Sequence, residues 1–313
     1  MSFARPLPNG IVPPLVTPLL DRDTLDLNGL NNLLEYVIAG GVHGVFLLGT
    51  TGEAPSLSGR LKRDLVREAT RIVAGRIPVL VGIADTAYVE SVSLAHFAEE
   101  NGASAAVLAP PFYFPAGQQE LAEYLRHLTG DIHLPLVLYN MPSHTKLVYE
   151  PDTVRRAADL PGIIGLKDSS GNMAYLHDLR RRLRDRPDFS LFVGPEQLLA
   201  ESLLLGCDGG VCGGANLFPK LYVALYESAN RRDLERTTIL HDLVMDVCDE
   251  IYRAGRYWSS YLKGLKCALS LKNICSDFMA EPFRRFRDAE RNEIAGALAR
   301  VEKRLSSTGF QVV

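Results

Sequence analysis

The segment Ile163-Ile164-Gly165-Leu166-Lys167-Asp168-Ser169-Ser170-Gly171 decides the fold. Its apolar head is too short for a globular helix and has the character of a strand covered on both faces, as strands of parallel sheets are. The run closes on a lysine, one of only eight in 313 residues. Lysine is rarely buried without a partner. Where it is, desolvation disfavours the ammonium and leaves an amine able to attack a carbonyl. The plain alternative is a lysine just beyond a strand end, solvated or paired with Asp168.

Similar apolar runs recur on both sides, at 10–18, 44–48, 78–83, 105–109, 135–139, 191–193 and 209–212. Between them lie amphipathic stretches such as 27–39, 60–74, 89–100 and 154–158. Helix starts are marked by Ser58, by Pro151-Asp152 and by Pro195-Glu196. Eight strand-like runs alternating with helices predict repeated βα units and a parallel sheet, and a closed (β/α)8 TIM barrel requires eight such units. A doubly wound open sheet is the structural competitor. After Leu217 the pattern is helix after helix, over 217–229, 234–251, 257–271 and 287–305. The expected organisation is a barrel over residues 1–230 and a C-terminal helical extension over 231–313 packed on it, with no linker between them.

Composition narrows the function classes. With 47% hydrophobic and 23% charged residues, the chain has the balance of a soluble globular protein. A formal net charge of -3 and a pI near 6.2 give no broad positive field for nucleic acid or an anionic membrane. The basic cluster Arg180-Arg181-Arg182-Leu183-Arg184 fits a solvated helix end. Five dispersed cysteines without a CxxC suggest neither a disulfide framework nor a zinc site. The opening Met1-Ser2-Phe3-Ala4-Arg5-Pro6 lacks a secretory pattern, and no apolar run reaches membrane-spanning length, so a cytoplasmic location is expected. HExxH, P-loop and GxGxxG signatures are absent, and no cofactor is expected.

In a (β/α)8 barrel, chemistry sits where strands end and loops begin on the C-terminal face. Here those ends carry Gly49-Thr50-Thr51-Gly52-Glu53, Pro110-Pro111-Phe112-Tyr113, Tyr139-Asn140-Met141-Pro142 and Lys167. By the period-two rule Ile163, Gly165 and Lys167 share one face, as do Val137 and Tyr139 on the adjacent strand. Tyr139 can therefore reach Lys167 in the barrel mouth. Schiff-base chemistry needs an amine, a proton relay beside the carbinolamine, and donors for a carboxylate. The glycines flanking Thr50-Thr51 permit a nest of backbone N–H groups.

These motifs, together with Gly10-Ile11-Val12-Pro13-Pro14-Leu15-Val16-Thr17-Pro18, the glycine-rich Gly209-Gly210-Val211-Cys212-Gly213-Gly214-Ala215-Asn216 and Lys266-Cys267-Ala268-Leu269, run in one order over nearly the whole chain. In this the sequence resembles the dihydrodipicolinate synthase / N-acetylneuraminate lyase family of class I aldolases. The resemblance implies an imine between Lys167 and pyruvate or a pyruvate-derived substrate, with Tyr139 shuttling protons. It implies that Thr50 and Thr51 bind the carboxylate through backbone N–H groups. It further implies that Thr51 links Tyr139 to a second tyrosine, Tyr113, contributed across a tight dimer interface. Val211 aligns with a residue whose carbonyl borders the site. A homotetramer built from two such dimers is the family's assembly, and its substrates are a 2-oxo acid and an aldehyde.

The match breaks where specificity is set. Synthases of the family place an arginine two residues beyond the YNxP proline, and His144 stands there in this chain. An imidazole cannot supply the bidentate fork of a guanidinium. Gly213 and Gly214, where bulkier residues often stand, hint at room for a larger substrate. The expected activity is cleavage, condensation or dehydration of a 2-keto-3-deoxy sugar acid or related 2-oxo acid. The alternatives are 4-hydroxy-tetrahydrodipicolinate synthase and, from another class, a catalytically inactive binding or regulatory barrel.

Overall fold

The computed structural model describes residues 7, 9–255 and 257–310. The opening stretch 1–6 and the last three residues of the expected extension lie outside the described residues. Eight short parallel strands alternate with helices: β1 (Gly10–Ile11), α1 (Leu27–Ala39), β2 (Val45–Leu47), α2 (Gly59–Val73), β3 (Val79–Gly82), α3 (Tyr88–Glu100), β4 (Ala105–Leu108), α4 (Gln118–Asp131) and β5 (Leu136–Asn140). Then follow α5 (Pro142–Thr145), α6 (Pro151–Ala157), β6 (Ile163–Asp168), α7 (Met173–Arg182), β7 (Ser190–Val193), α8 (Leu199–Leu204), β8 (Gly209–Gly210) and α9 (Pro219–Asn230).

The strands pair in the order β1-β8-β7-β6-β5-β4-β3-β2, every pair parallel. The two ends of this series also meet. Phe46 N donates to Pro13 O and Leu15 N donates to Phe46 O, both at 2.9 Å, so the chain beyond β1 pairs with β2. The sheet is therefore a closed (β/α)8 barrel rather than an open doubly wound sheet.

Alternation along the strands builds two apolar layers. Phe46, Leu80, Val107, Val137, Tyr139, Phe192 and Val211 form one buried cluster in the barrel interior. Their strand neighbours Val45, Leu47, Val81, Ala106, Leu138, Leu166 and Val193 belong to a second cluster with the helices. Both faces are covered, which is why the strands read as continuous apolar runs. One position departs from strict alternation. Leu136 pairs with Ile163 but Val137 pairs with Gly165, so Ile164 is an extra residue at a bulge. Ile163 consequently packs with the outer cluster while Ile164 packs against the inner one, and Ile163 does not share the face of Lys167.

Helix α2 illustrates the outer layer. Leu61, Leu65, Val66, Ala69 and Val73 fall on one stripe and are buried. Burying each large side chain stabilises the fold by roughly 1.5–3 kcal/mol. Ser58 Oγ accepts from Leu61 N at 3.1 Å and so satisfies a first-turn donor, a cap worth about 1 kcal/mol. The cluster at 180–182 is the last turn of α7, as its sequence suggests.

After α9 the chain forms α10 (Leu234–Ile251), α11 (Ser260–Leu271) and α12 (Asp288–Ser307). Among the described residues no helix is long and apolar enough to cross a membrane.

Candidate active site

Lys167 and Tyr139 are register partners on β6 and β5. Lys167 is 5% exposed and Tyr139 6%, so neither is a solvated strand-end residue. The Lys167 Nζ lies 3.9 Å from the Tyr139 ring centroid and 5.1 Å from that of Phe46. Phe46 and Tyr139 meet edge to face at 6.3 Å. The amine thus sits in an aromatic corner that excludes water on two sides.

Asp168 takes no part in holding the amine. Adjacent strand residues point to opposite faces, and the Asp168 carboxylate instead receives Asn140 Nδ2 at 2.9 Å and the Ser170 hydroxyl at 2.8 Å. Burial pushes its pKa up while these bonds oppose the shift. Asn140 Oδ1 also accepts from Tyr149 N at 3.1 Å, so the ends of β5 and β6 are cross-pinned directly behind Tyr139 and Lys167.

The hydroxyl of Tyr139 reaches the β2 loop. It lies 3.2 Å from Thr50 Oγ1. Thr51 Oγ1 turns the other way and lies 2.9 Å from the hydroxyl of Tyr261 on α11. The expected link from Thr51 to Tyr139 is therefore corrected: Thr50 holds Tyr139, and within the chain Thr51 holds Tyr261. The reason is local. Gly52 N donates to Gly49 O and Glu53 N donates to Thr50 O, which wraps 49–53 into a tight turn that sends successive side chains apart. Neither the Thr50 nor the Thr51 N–H has an acceptor among the described residues. Two adjacent backbone donors are thus left unpaired in the turn whose Thr50 side chain meets Tyr139.

This turn is held firmly. Thr17 Oγ1 donates to Gly52 O at 2.7 Å. Glu53 has φ 57° and its carboxylate is fully buried, 2.6 Å from Lys266 Nζ on α11, with Ala280 N donating to its other oxygen at 2.8 Å. Leu48 has φ 58°, and a Cβ on Gly82 would fall 2.2 Å from its carbonyl oxygen, so only glycine on β3 admits that backbone.

The remaining expected site residues are more scattered. Val211 is buried in the interior cluster beside Tyr139. Tyr113 is 85% exposed with φ 86°, its ring against Phe114 rather than in the mouth of its own chain. His144 is exposed in the last turn of α5, with Nδ1 2.9 Å from Ser143 Oγ. Partial burial of its ring and the nearby Lys146 hold its pKa below the ordinary histidine value.

Gly213 and Gly214 do not leave room for a larger substrate. A Cβ on Gly213 would fall 1.8 Å from the Tyr261 hydroxyl, and one on Gly214 would fall 2.0 Å from the Tyr222 hydroxyl. The space that these glycines vacate is filled by the protein's own tyrosines.

Three participants escape sequence reasoning: Phe46, Tyr261 and Glu196. Phe46 was visible as an alternate residue of its strand. Glu196 was visible only as a helix start, yet it is a fully buried carboxylate. It receives Gly214 N at 2.8 Å, the Tyr252 hydroxyl at 3.0 and 3.1 Å, and the Tyr222 hydroxyl. Burial raises its pKa despite these donors.

A profile described as the Dihydrodipicolinate synthetase family matches residues 7–301. The chain belongs to that family. A 4-hydroxy-tetrahydrodipicolinate synthase of Polynucleobacter asymbioticus is 34% identical over 232 residues, 73% of this chain and 75% of its own length. A probable 2-dehydro-3-deoxy-D-pentonate aldolase, YjhH of Escherichia coli K12, is 32% identical over 271 residues, 85% of this chain and 90% of its own. Among solved structures, a dihydrodipicolinate synthase from Bacteroides thetaiotaomicron superposes with a TM-score of 0.91 at 54% identity, covering 93% of this chain and 98% of that one. YagE of E. coli K12, solved in complex with pyruvate, gives a TM-score of 0.89 at 26% identity over 94% and 98%. Family members are enzymes, named as synthases and aldolases, and the class I aldolase reading agrees with them.

Proposed function

We propose that Lys167 forms an imine with the keto carbon of pyruvate or another 2-oxo acid. The observation that carries this is the buried Lys167 amine against Tyr139, whose hydroxyl is joined to Thr50 beside two unoccupied amides. The amine nitrogen adds to the carbonyl, giving a carbinolamine. Tyr139, relayed by Thr50, supplies the proton with which its hydroxyl leaves as water. The Thr50 and Thr51 N–H groups take the carboxylate. In condensation, loss of a proton from the neighbouring carbon gives an enamine that adds to an aldehyde; in cleavage, the C–C bond of the imine breaks to release the aldehyde and leave the same enamine, which then takes up a proton.

The second substrate we propose is a 2-keto-3-deoxy sugar acid or its aldehyde fragment. Support comes from His144, which offers a neutral ring at neutral pH where a second substrate carboxylate would require a cationic fork. The name of YjhH points the same way for that relative. The second reading is 4-hydroxy-tetrahydrodipicolinate synthase, the name carried by the Polynucleobacter relative. We further propose a cytoplasmic homotetramer in which Tyr113 enters a partner's site. The 85% exposure of Tyr113 and 78% exposure of Phe114 supports an interface at that loop.

Borohydride reduction in the presence of pyruvate, read by intact mass, tests the central claim. A stable adduct that disappears in Lys167→Ala is the expected result. No adduct on the native protein would sink the imine reading and return the inactive-barrel alternative. Turnover of a panel of aldehydes with pyruvate, and of 2-keto-3-deoxy acids in the cleavage direction, then separates the two substrates. Efficient use of aspartate semialdehyde would overturn the sugar-acid assignment.

A further inference from the structure

The hydroxyl of Tyr261 is wedged between two loops of the barrel mouth. On one side Thr51 Oγ1 lies 2.9 Å away. On the other, Gly213 lies so close that a methyl there would fall 1.8 Å from the same oxygen. Thr51 follows β2 and Gly213 follows β8, and β1 lies between these strands in the closed barrel. Tyr261 therefore bridges the mouth over the end of β1, although it belongs to the helical extension.

Its ring is itself fixed. Tyr252 meets it edge-on, with centroids 4.7 Å apart at 81°. The Tyr252 hydroxyl donates to both oxygens of the buried Glu196 carboxylate, which also takes Gly214 N. A buried carboxylate is retained at a desolvation cost, and it is matched here by donors from three segments. These contacts form a continuous series from Glu196 through Tyr252 and Tyr261 to Thr51.

Thr51 is the residue on which this series acts. Threonine is branched at Cβ and stiff at χ1, so fixing its hydroxyl fixes the backbone that carries it. The backbone in question bears the two free N–H groups. Burial lifts the Tyr261 phenol well above its ordinary pKa, so the hydroxyl stays intact across any neutral assay.

We propose that Tyr261 is a positioning residue for carboxylate recognition: held by Tyr252, it anchors Thr51 so that the Thr50 and Thr51 amides stay aimed at the substrate carboxylate. Two neighbouring threonines thus have separate duties. Thr50 serves proton transfer through Tyr139, and Thr51 serves binding through Tyr261. This inference rests on the imine reading of Lys167.

The test is borohydride trapping on the full-length protein over a series of pyruvate concentrations, which requires no knowledge of the second substrate. The native protein must first give an adduct; if it gives none, the imine reading fails and not the role of Tyr261. With that established, Tyr261→Phe should raise the half-saturating pyruvate concentration about 5- to 10-fold, the worth of one hydrogen bond, with the rate at saturation unchanged within about threefold. Tyr139→Phe should give the opposite split. Thr51→Ser, which keeps the bond to Tyr261 but frees χ1, should also raise half-saturation, and it serves if Tyr261→Phe does not fold. An unchanged half-saturation in a folded Tyr261→Phe or Thr51→Ser protein, or a fall confined to the saturated rate, would overturn the proposal.

Discussion

The Lys266 ammonium on α11 lies 2.6 Å from Glu53 Oε1 of the β2 loop, with both side chains at most 1% exposed. The same ammonium donates to Phe278 O at 2.6 Å, and Glu53 Oε2 accepts from Ala280 N. The helical extension and the turn that carries Thr50 and Thr51 are joined by a desolvated ion pair in which both carboxylate oxygens and two of the three ammonium N–H groups are hydrogen-bonded.

Removing one member of such a pair leaves a buried charge without its counterion, which costs about 3–5 kcal/mol. Lys266→Met is therefore expected to lower the melting temperature by on the order of 10 °C. It should also weaken pyruvate trapping, because the turn loses its anchor. Differential scanning calorimetry beside the trapping assay checks both. A Lys266→Met protein that melts with the native one would show that Glu53 finds another partner.

The Thr50–Tyr139 contact predicts an asymmetry between neighbouring threonines. Tyr139→Phe should retain pyruvate binding and lose about two or more orders of magnitude in rate, the usual worth of a positioned proton relay. Thr50→Val should fall in rate in the same sense with a smaller magnitude, since the phenol remains. Full activity in Tyr139→Phe, measured as the rate of adduct formation at saturating pyruvate, would remove it from the relay.

Glu196 predicts a pH dependence of stability. Its pKa in the fold is raised from the ordinary 4.5 by burial. The folded state therefore binds the proton more tightly than the unfolded chain. The stabilisation is complete below pH 4.5 and is lost as pH rises through the folded value. Glu196→Gln cannot ionise. The melting temperature of the native protein relative to this variant should fall as pH rises from 4.5 toward neutrality. A difference that stays flat across that window would mean that the carboxylate titrates alike in both states.

His144 stands exposed beyond β5, with its pKa held below the ordinary histidine value by partial burial of the ring and by Lys146. His144→Ala should leave pyruvate trapping within about twofold. His144→Arg supplies the bidentate fork that the loop lacks, and it should improve the use of an aldehyde bearing a carboxylate relative to one bearing hydroxyls. Competition between the two aldehydes at limiting enzyme reads the ratio.

The architecture was legible because the barrel's signals are local. Helices α1 and α10 occupy the residues their periodicity marks, and Ser58 caps α2 as its position suggests. The bulge at Ile164 was not legible, since a register slip depends on how β5 meets β6 and leaves no trace in β6 alone. The same division runs through the site. Lys167 and Tyr139 announce themselves at strand ends. Tyr261 does not, because 210 positions separate it from Thr51 and only the packing of α11 brings them together. The paired glycines misled for a related reason: a missing side chain signals vacant space, but sequence does not say what fills it.

That filling has a consequence for altering the enzyme. At Gly213 the hole and its plug are encoded separately, one in the β8 loop and the other on α11. Trimming the plug, as in Tyr261→Ala, would uncover space already shaped at the rim of the mouth without touching a strand. The same cut would release Thr51 from its anchor, so room at this loop and a firm hold on the turn of β2 are traded against each other through one side chain.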